Sequence, residues 1–87
     1  MQIHRNFHED PGHGWLAVPL DELMELGIAS KISTYSYFKT GIVYLEEDLD
    51  AGIYIDAVKA NGDTVRIKEH YKNNTPIRDY AYYRRNL

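Results

Sequence analysis

The spacing of apolar residues changes along this chain between the period of a helix and the period of a strand. Within residues 20–26 the apolar positions are 20, 23, 24 and 26, a stripe typical of one helix face. From Ile32 to Phe38 the side chains instead alternate between two faces, as they do in a strand. Short segments of both kinds in one chain predict an α+β layer of helices on a sheet.

Turn residues between these segments give the expected order of elements. Pro19, Gly27, Gly41 and Gly62 each follow an apolar segment and mark its end. The predicted order is β-α-β-β-α-β, with two helices on one face of a small, largely antiparallel sheet. Its segments are a strand over 15–18, a helix over 20–26, a hairpin of strands 32–38 and 42–45, a helix beginning in the acidic run 46–50, a strand over 64–70, and a tail 77–85 that adds an edge strand or lies as an arm.

The second predicted helix has an apolar stripe at Leu49, Ile53, Ala57 and Ala60, with Tyr54 and Val58 beside it. The chain of 87 residues is expected to form a single domain, 1–87, with 44% apolar residues for one modest core.

Composition excludes several classes of function. The chain has no cysteine, which rules out disulfides, thiolate zinc sites and cysteine nucleophiles. No P-loop or dinucleotide fingerprint is present, and we expect no cofactor. The formal charge of −3 disfavours a protein that coats nucleic acid. No apolar run reaches membrane-spanning length and no signal peptide is evident, so a cytoplasmic protein without a membrane partner is expected.

Three of the four histidines fall within residues 4–15, where Pro11, Gly12 and Gly14 predict a loop. The favoured interpretation is a turn that delivers Trp15 to the core, with His and Asp side chains capping backbone groups. Two alternatives concern the same loop. They are a metal site at His4, His8 and His13, and an acid–base or metal-dependent enzyme centred on His8, Asp10 and His13.

Two further surfaces carry the remaining charge. The acidic run is explained either by a helix N-terminus or by contact with a basic partner protein. The tail is rich in tyrosine and arginine, two residue types that are enriched at protein interfaces. The predicted protein contacts are therefore Glu46, Glu47, Asp48, Asp50, Tyr80, Tyr82, Tyr83, Arg84 and Arg85. A second alternative uses the tail with Arg66, Lys68, His70 and Lys72 to bind single-stranded nucleic acid.

Three blocks of the sequence also carry a resemblance: residues 7–16, 33–37 and 43–48. Through them, the chain resembles small uncharacterised proteins encoded by bacteria, their plasmids and phages. The resemblance implies an accessory protein that acts by binding, and it assigns no functional residues. The sequence therefore predicts a non-enzymatic protein that binds a bacterial macromolecule, foremost a protein, as an inhibitor or modulator. Homo-oligomers also fit this prediction.

Overall fold

The computed structural model describes residues 1–84, which form strands, helices and two short 3-10 turns. The helices are α1 (Leu20–Glu25) and α2 (Asp50–Ala60), and the 3-10 turns are Ala29–Lys31 and Pro76–Asp79. The strands are β1 (Gln2–Glu9), β2 (Gly14–Pro19), β3 (Tyr37–Lys39), β4 (Ile42–Glu46), β5 (Thr64–Tyr71) and β6 (Ala81–Tyr82).

All six strands join one sheet in the order β5-β1-β2-β4-β3-β6. Strands β1 and β5 run parallel, and the other neighbours are antiparallel. Helix α1 lies in the connection from β2 to β3, and α2 lies in the connection from β4 to β5. The α+β class and the largely antiparallel sheet are thus confirmed. The tail does add an edge strand, β6, beside β3.

The N-terminal strand is the main departure from the predicted order. Residues 4–9 were expected to belong to a loop, but they lie in β1, which pairs with both β2 and β5. Only Asp10 to His13 form the loop. The strand is hard to recognise because Arg5 occupies the position between Ile3 and Phe7, which both pack against the core. Arg5 is held there by an ion pair with Glu22 of α1, so a charge interrupts the apolar alternation.

The core lies between the helices and one face of the sheet. Helix α1 contributes Leu23 and α2 contributes Tyr54, and both side chains are fully buried. The central strands face them with four fully buried residues: Leu16, Val18, Val43 and Leu45. We call this side of the sheet the helix face and the opposite side the open face.

Helix α2 packs through a stripe that matches the predicted one only in part. Ile53 and Ala57 do pack against the core, but they are only half-buried. The buried residues of the helix are Asp50, Ala51, Tyr54 and Val58, whereas Ala60 is exposed, as is Leu49 just before the helix. The hydroxyl of Tyr54 donates a hydrogen bond to Glu22 at 2.5 Å. This bond requires Tyr54 to face α1, which turns the helix toward the residues predicted to lie beside the stripe.

Residues 32–36 do not extend the hairpin strand as predicted, and β3 begins only at Tyr37. Asp50 explains the difference. Its buried carboxylate accepts hydrogen bonds from the Ser33 amide at 3.0 Å and from the Ser33 and Ser36 hydroxyls, both at 2.6 Å. These bonds draw the segment into a turn over the start of α2, because a buried carboxylate requires such donors.

Within residues 1–84, neither helix is long and apolar enough to cross a membrane.

Candidate functional site

The open face of the sheet carries most of the aromatic residues. Strand alternation places Tyr44, Tyr37 and Tyr82 on neighbouring strands in one row across the sheet. The adjacent row pairs His8 with Trp15. Neither α1 nor α2 covers this face. Within residues 1–84, its side chains are shielded by each other, by the loop between β1 and β2, and by the C-terminal segment, which we define as residues 75–82.

Asp10 fastens the C-terminal segment to the loop between β1 and β2. Arg78 donates two hydrogen bonds to it, from Nε to Oδ2 at 2.6 Å and from Nη2 to Oδ1 at 2.8 Å. The amides of Gly12 and His13 also donate to Oδ1, each at 3.1 Å. Asp10 therefore caps the loop, as the favoured interpretation of this turn requires, and it anchors Arg78 as well.

These contacts favour the ionised form of Asp10. The hydrogen bonds from Arg78, followed by those from the amides of Gly12 and His13, hold the pKa of the Asp10 carboxyl well below its ordinary value, although burial opposes the shift. A carboxylate whose acceptor atoms are occupied in this way is a structural anchor. It has little capacity to take up a proton as an acid–base catalyst would.

Trp15 is buried, although it lies on the open face. The guanidinium of Arg78 lies over its ring at 5.6 Å from the centroid. The His13 ring stacks on it at 5.9 Å, and the Tyr37 ring meets it edge-on at 6.1 Å. The loop thus delivers Trp15 to an aromatic cluster on the open face rather than to the core under the helices.

A groove of about 460 Å³ runs along this aromatic cluster. We call it the acidic aromatic groove. Tyr82 stacks on Tyr37 at 5.2 Å, and Tyr35, Leu49 and Tyr82 are each more than half exposed. Carboxylates line one part of it, whereas no lysine or arginine of the described chain does so. Its lining residues are His13, Trp15, Tyr35, Tyr37, Glu46, Asp48, Leu49 and Tyr82.

The acidic run divides into structural and exposed residues. The carboxylate of Glu46 accepts hydrogen bonds from the amides of Asp48, Leu49 and Asp50 at 2.7–2.9 Å, which caps the N-terminus of α2. Asp50 is fully buried and does not reach the surface where it was expected to contact a partner. Glu47 and Asp48 are exposed, so these two are the residues of the run that are open to a partner.

The tail residues separate in the same way. Tyr83 is buried, with its hydroxyl donating to the Ala29 carbonyl at 2.6 Å, so it belongs to the core rather than to a contact surface. Tyr80 is half-buried beneath the Lys39 ammonium, 4.6 Å from its ring centroid. Tyr82 and Arg84 are exposed, and Arg85 lies outside the described residues.

The histidines predicted as one site line three different cavities. His4 lines a basic cavity with Arg66 and Lys68, His8 lines a cavity with His70, and His13 lines the acidic aromatic groove. Asp10 lines none of these cavities. In the described part of the chain, no group of three or more His, Asp or Glu side chains is arranged to hold a metal ion.

Sequence reasoning missed the pairing of His8 with His70. Their rings stack at 5.1 Å with 21° between the planes, because β1 and β5 pair in parallel and set the two residues side by side. Burial, reinforced by His70 and Lys72, lowers the pKa of His8. The two residues are 62 positions apart in the chain, and no local pattern predicts a parallel pairing over that separation.

No family model, no curated protein and no solved structure matches this chain.

Proposed function

We propose that this chain is a non-enzymatic binding protein that takes a basic segment of a partner protein into the acidic aromatic groove. The observation that supports this proposal is that carboxylate and aromatic side chains from distant parts of the sequence line one concave surface, and that Tyr35, Asp48 and Tyr82 are exposed within it. Asp48 comes from the acidic run, Tyr82 from the tail, and Trp15 from β2. Complementary charge and tyrosine-rich surface are both typical of protein interfaces.

The chemistry of the groove favours a cation as its guest. Aromatic rings attract lysine and arginine through their electron-rich faces, most strongly where water is excluded. The aromatic cluster already holds one guanidinium, that of Arg78 over Trp15. A partner's arginine or lysine side chain that stacks between Tyr35 and Tyr82 would have the Asp48 carboxylate as its counter-ion, since Asp48 lines the same groove.

The biological role in this proposal is that of an inhibitor or modulator of a bacterial protein. The groove supports this role because it offers a concave acidic surface to a partner, and an accessory role is what the sequence resemblance implies. The formal charge of −3 would assist encounter with a basic surface. The enzyme alternative, centred on His8, Asp10 and His13, has less support than the binding proposal. Asp10 is bound to Arg78, and the two histidines line different cavities.

The test compares groove variants with a matched control in a nuclease-treated bacterial lysate. Asp48→Lys and Tyr82→Ala change exposed groove residues, whereas Asp56→Lys reverses an exposed charge on α2. Glu46 and Asp50 are unsuitable because their carboxylates hold the start of α2 and the 33–36 turn. We expect one protein to be recovered by wild type and by Asp56→Lys and lost with both groove variants.

A second measurement tests whether the groove prefers a positively charged ligand. Titration with a short arginine peptide, followed by NMR, should shift the indole N–H of Trp15 and the amides near Tyr82. A glutamate peptide of the same length should leave them unchanged. Equal recovery of the partner by all variants, or peptide shifts spread over the helix side of the molecule, would overturn the proposed site.

A further inference from the structure

A second cavity on the open face shares no lining residue with the acidic aromatic groove. Its volume is about 290 Å³, and we call it the histidine cavity. It is bounded by the C-terminal ends of β1 and β5, by the middle of β4, and by the C-terminal segment with Lys72 before it. Its lining residues are His8, Tyr44, His70, Tyr71, Lys72, Thr75, Pro76, Ile77 and Tyr80.

The charge of this lining is opposite to that of the groove. Lys72 and the two imidazoles are its ionisable nitrogen groups, and no Asp or Glu from residues 1–84 lines it. Tyr44 and Tyr80 add hydroxyl groups, whereas the hydroxyls of Tyr71 and Thr75 already donate to Asn73 and Asp10. Asn6 Oδ1 lies 3.0 Å from His70 Nε2, which fixes the orientation of that ring. Nitrogen and hydroxyl donors that converge without a carboxylate favour an anion.

The cavity also presents flat apolar surface. The rings of Tyr44 and Tyr80 lie 5.2 Å apart at an angle of 55°, and His8 lies 6.3 Å from Tyr44. Tyr71 is largely exposed at the margin. Rings at such angles and separations accept a further aromatic ring by offset or edge contact.

The volume of the histidine cavity favours a small-molecule ligand over a nucleic-acid strand. Small-molecule sites begin at about 300 Å³, and the histidine cavity is close to this lower limit. A groove that tracks a nucleic-acid strand extends over several nucleotides, and the three residues that would continue such a path, Arg66, Lys68 and His4, line a separate cavity.

We propose that the histidine cavity binds a small phosphomonoester that carries a flat ring, as a nucleoside monophosphate does. The phosphate accepts hydrogen bonds from Lys72 and from the imidazole of His8, and the ring packs against Tyr44 and Tyr80. His70 positions His8 by stacking on it, since its own Nε2–H donates to Asn6 Oδ1. This site is independent of the proposed protein-binding groove, because the two share no residue.

The experiment titrates the full chain with adenosine monophosphate and follows the imidazole resonances of His8 and His70 by NMR. Adenosine and inorganic phosphate are titrated separately to isolate the ring and the anion. We expect saturable binding of the monophosphate, with weaker binding of each part. Loss of a charged donor should weaken binding about tenfold in Lys72→Gln, an exposed position whose replacement leaves the core intact.

His8→Gln should weaken binding to a similar extent, because it replaces the imidazole that donates to the phosphate. Lys59→Gln removes one positive charge from the end of α2 and should leave binding unchanged. Three results would overturn the proposal. They are the absence of saturation at millimolar concentration, equal weakening in Lys59→Gln, and tighter binding of a short oligothymidylate with the same dependence on Lys72, which would indicate a nucleic-acid site.

Discussion

The acidic residues of this chain differ more in their surroundings than in their chemistry. Asp50 is buried among hydroxyl and amide donors, Asp10 is bound by a guanidinium, and Asp48 lines a groove. The first two stabilise the fold because their acceptor atoms are occupied. The carboxylate of Asp48 is instead exposed within a concave surface, where it is available to a partner.

Asp10 should make the free energy of unfolding depend on pH in the acid range. Its folded-state pKa lies below the ordinary value of 3.8, so the unfolded chain binds this proton at a higher pH than the folded protein does. The stabilisation is therefore present above the ordinary pKa and is lost as the pH falls below it. In Asp10→Asn we expect a lower Tm at neutral pH and a difference from wild type that shrinks toward pH 2–3.

Thermal melts at several pH values measure this effect, and Asp56→Asn serves as the control because Asp56 is exposed on α2. A difference between wild type and Asp10→Asn that stays constant from neutral to acid pH would contradict the assigned role of Arg78.

Ser36 should contribute more to the free energy of unfolding than an exposed serine does. Its hydroxyl donates to Asp50 at 2.6 Å and accepts from the Glu46 amide at 3.0 Å, and the residue is fully buried. Ser36→Ala leaves both groups short of a buried partner, which costs about 1–3 kcal/mol in the free energy of unfolding. Urea denaturation measures the change, with the exposed Ser30→Ala as the control. A cost equal to that of the control would argue against the assigned network.

The effect of replacing glycine by alanine on stability should differ between strand β2 and helix α2. Gly14 begins β2, where an added methyl group would fall on the ring of Phe7. Gly52 lies in α2, where nothing is within 4 Å of the same methyl group. The first glycine is required by the close approach of two strands, and the second carries only the entropic cost of glycine in a helix.

Gly52→Ala should therefore raise the free energy of unfolding by about 0.5–1 kcal/mol. Gly14→Ala should lower it by about 1–3 kcal/mol, as overpacking does in a closely packed region. Urea denaturation of both variants checks the signs, and a matching sign in the two would contradict this description of β2 and α2.

At the scale of the whole molecule, the open face depends on the C-terminal segment. Arg78 connects that segment to Asp10 and lies over Trp15, whereas the helix face is closed by its own apolar packing. The helix face is therefore stabilised by apolar packing and the open face by the contact between Arg78 and Asp10. A single substitution of Arg78 can remove the second.

Trp15, the only tryptophan, reports on this attachment. In Arg78→Ala the ring should become accessible to water, so its fluorescence emission should move to longer wavelength and acrylamide should quench it more strongly. Far-ultraviolet circular dichroism should change little, since the helices pack on the other face. Arg66→Ala, an exposed arginine of β5, is the control, and unchanged emission in Arg78→Ala would contradict the role of the segment.

The sequence alone determined the α+β class, the helix begun by the acidic run and the turns at Gly41 and Gly62, where φ is positive at 81° and 82°. These features depend on neighbouring residues, whose periodicity and turn chemistry can be read locally. The start of β3 and the strand nature of residues 4–9 were not predicted. Asp50 sets the first from a distant position, and the second depends on pairing with β5 and on Glu22, which accommodates Arg5 on the helix face.

Only the tertiary structure decided which of the predicted contact residues share a surface. Strand pairing places Tyr82 beside Tyr37 and His8 beside His70, and packing buries Asp50 and Tyr83 while leaving Asp48 and Tyr82 exposed. Composition supplied the tyrosines and the acids. Their division into structural residues and a groove follows from long-range pairing, for which a local sequence pattern carries no signal.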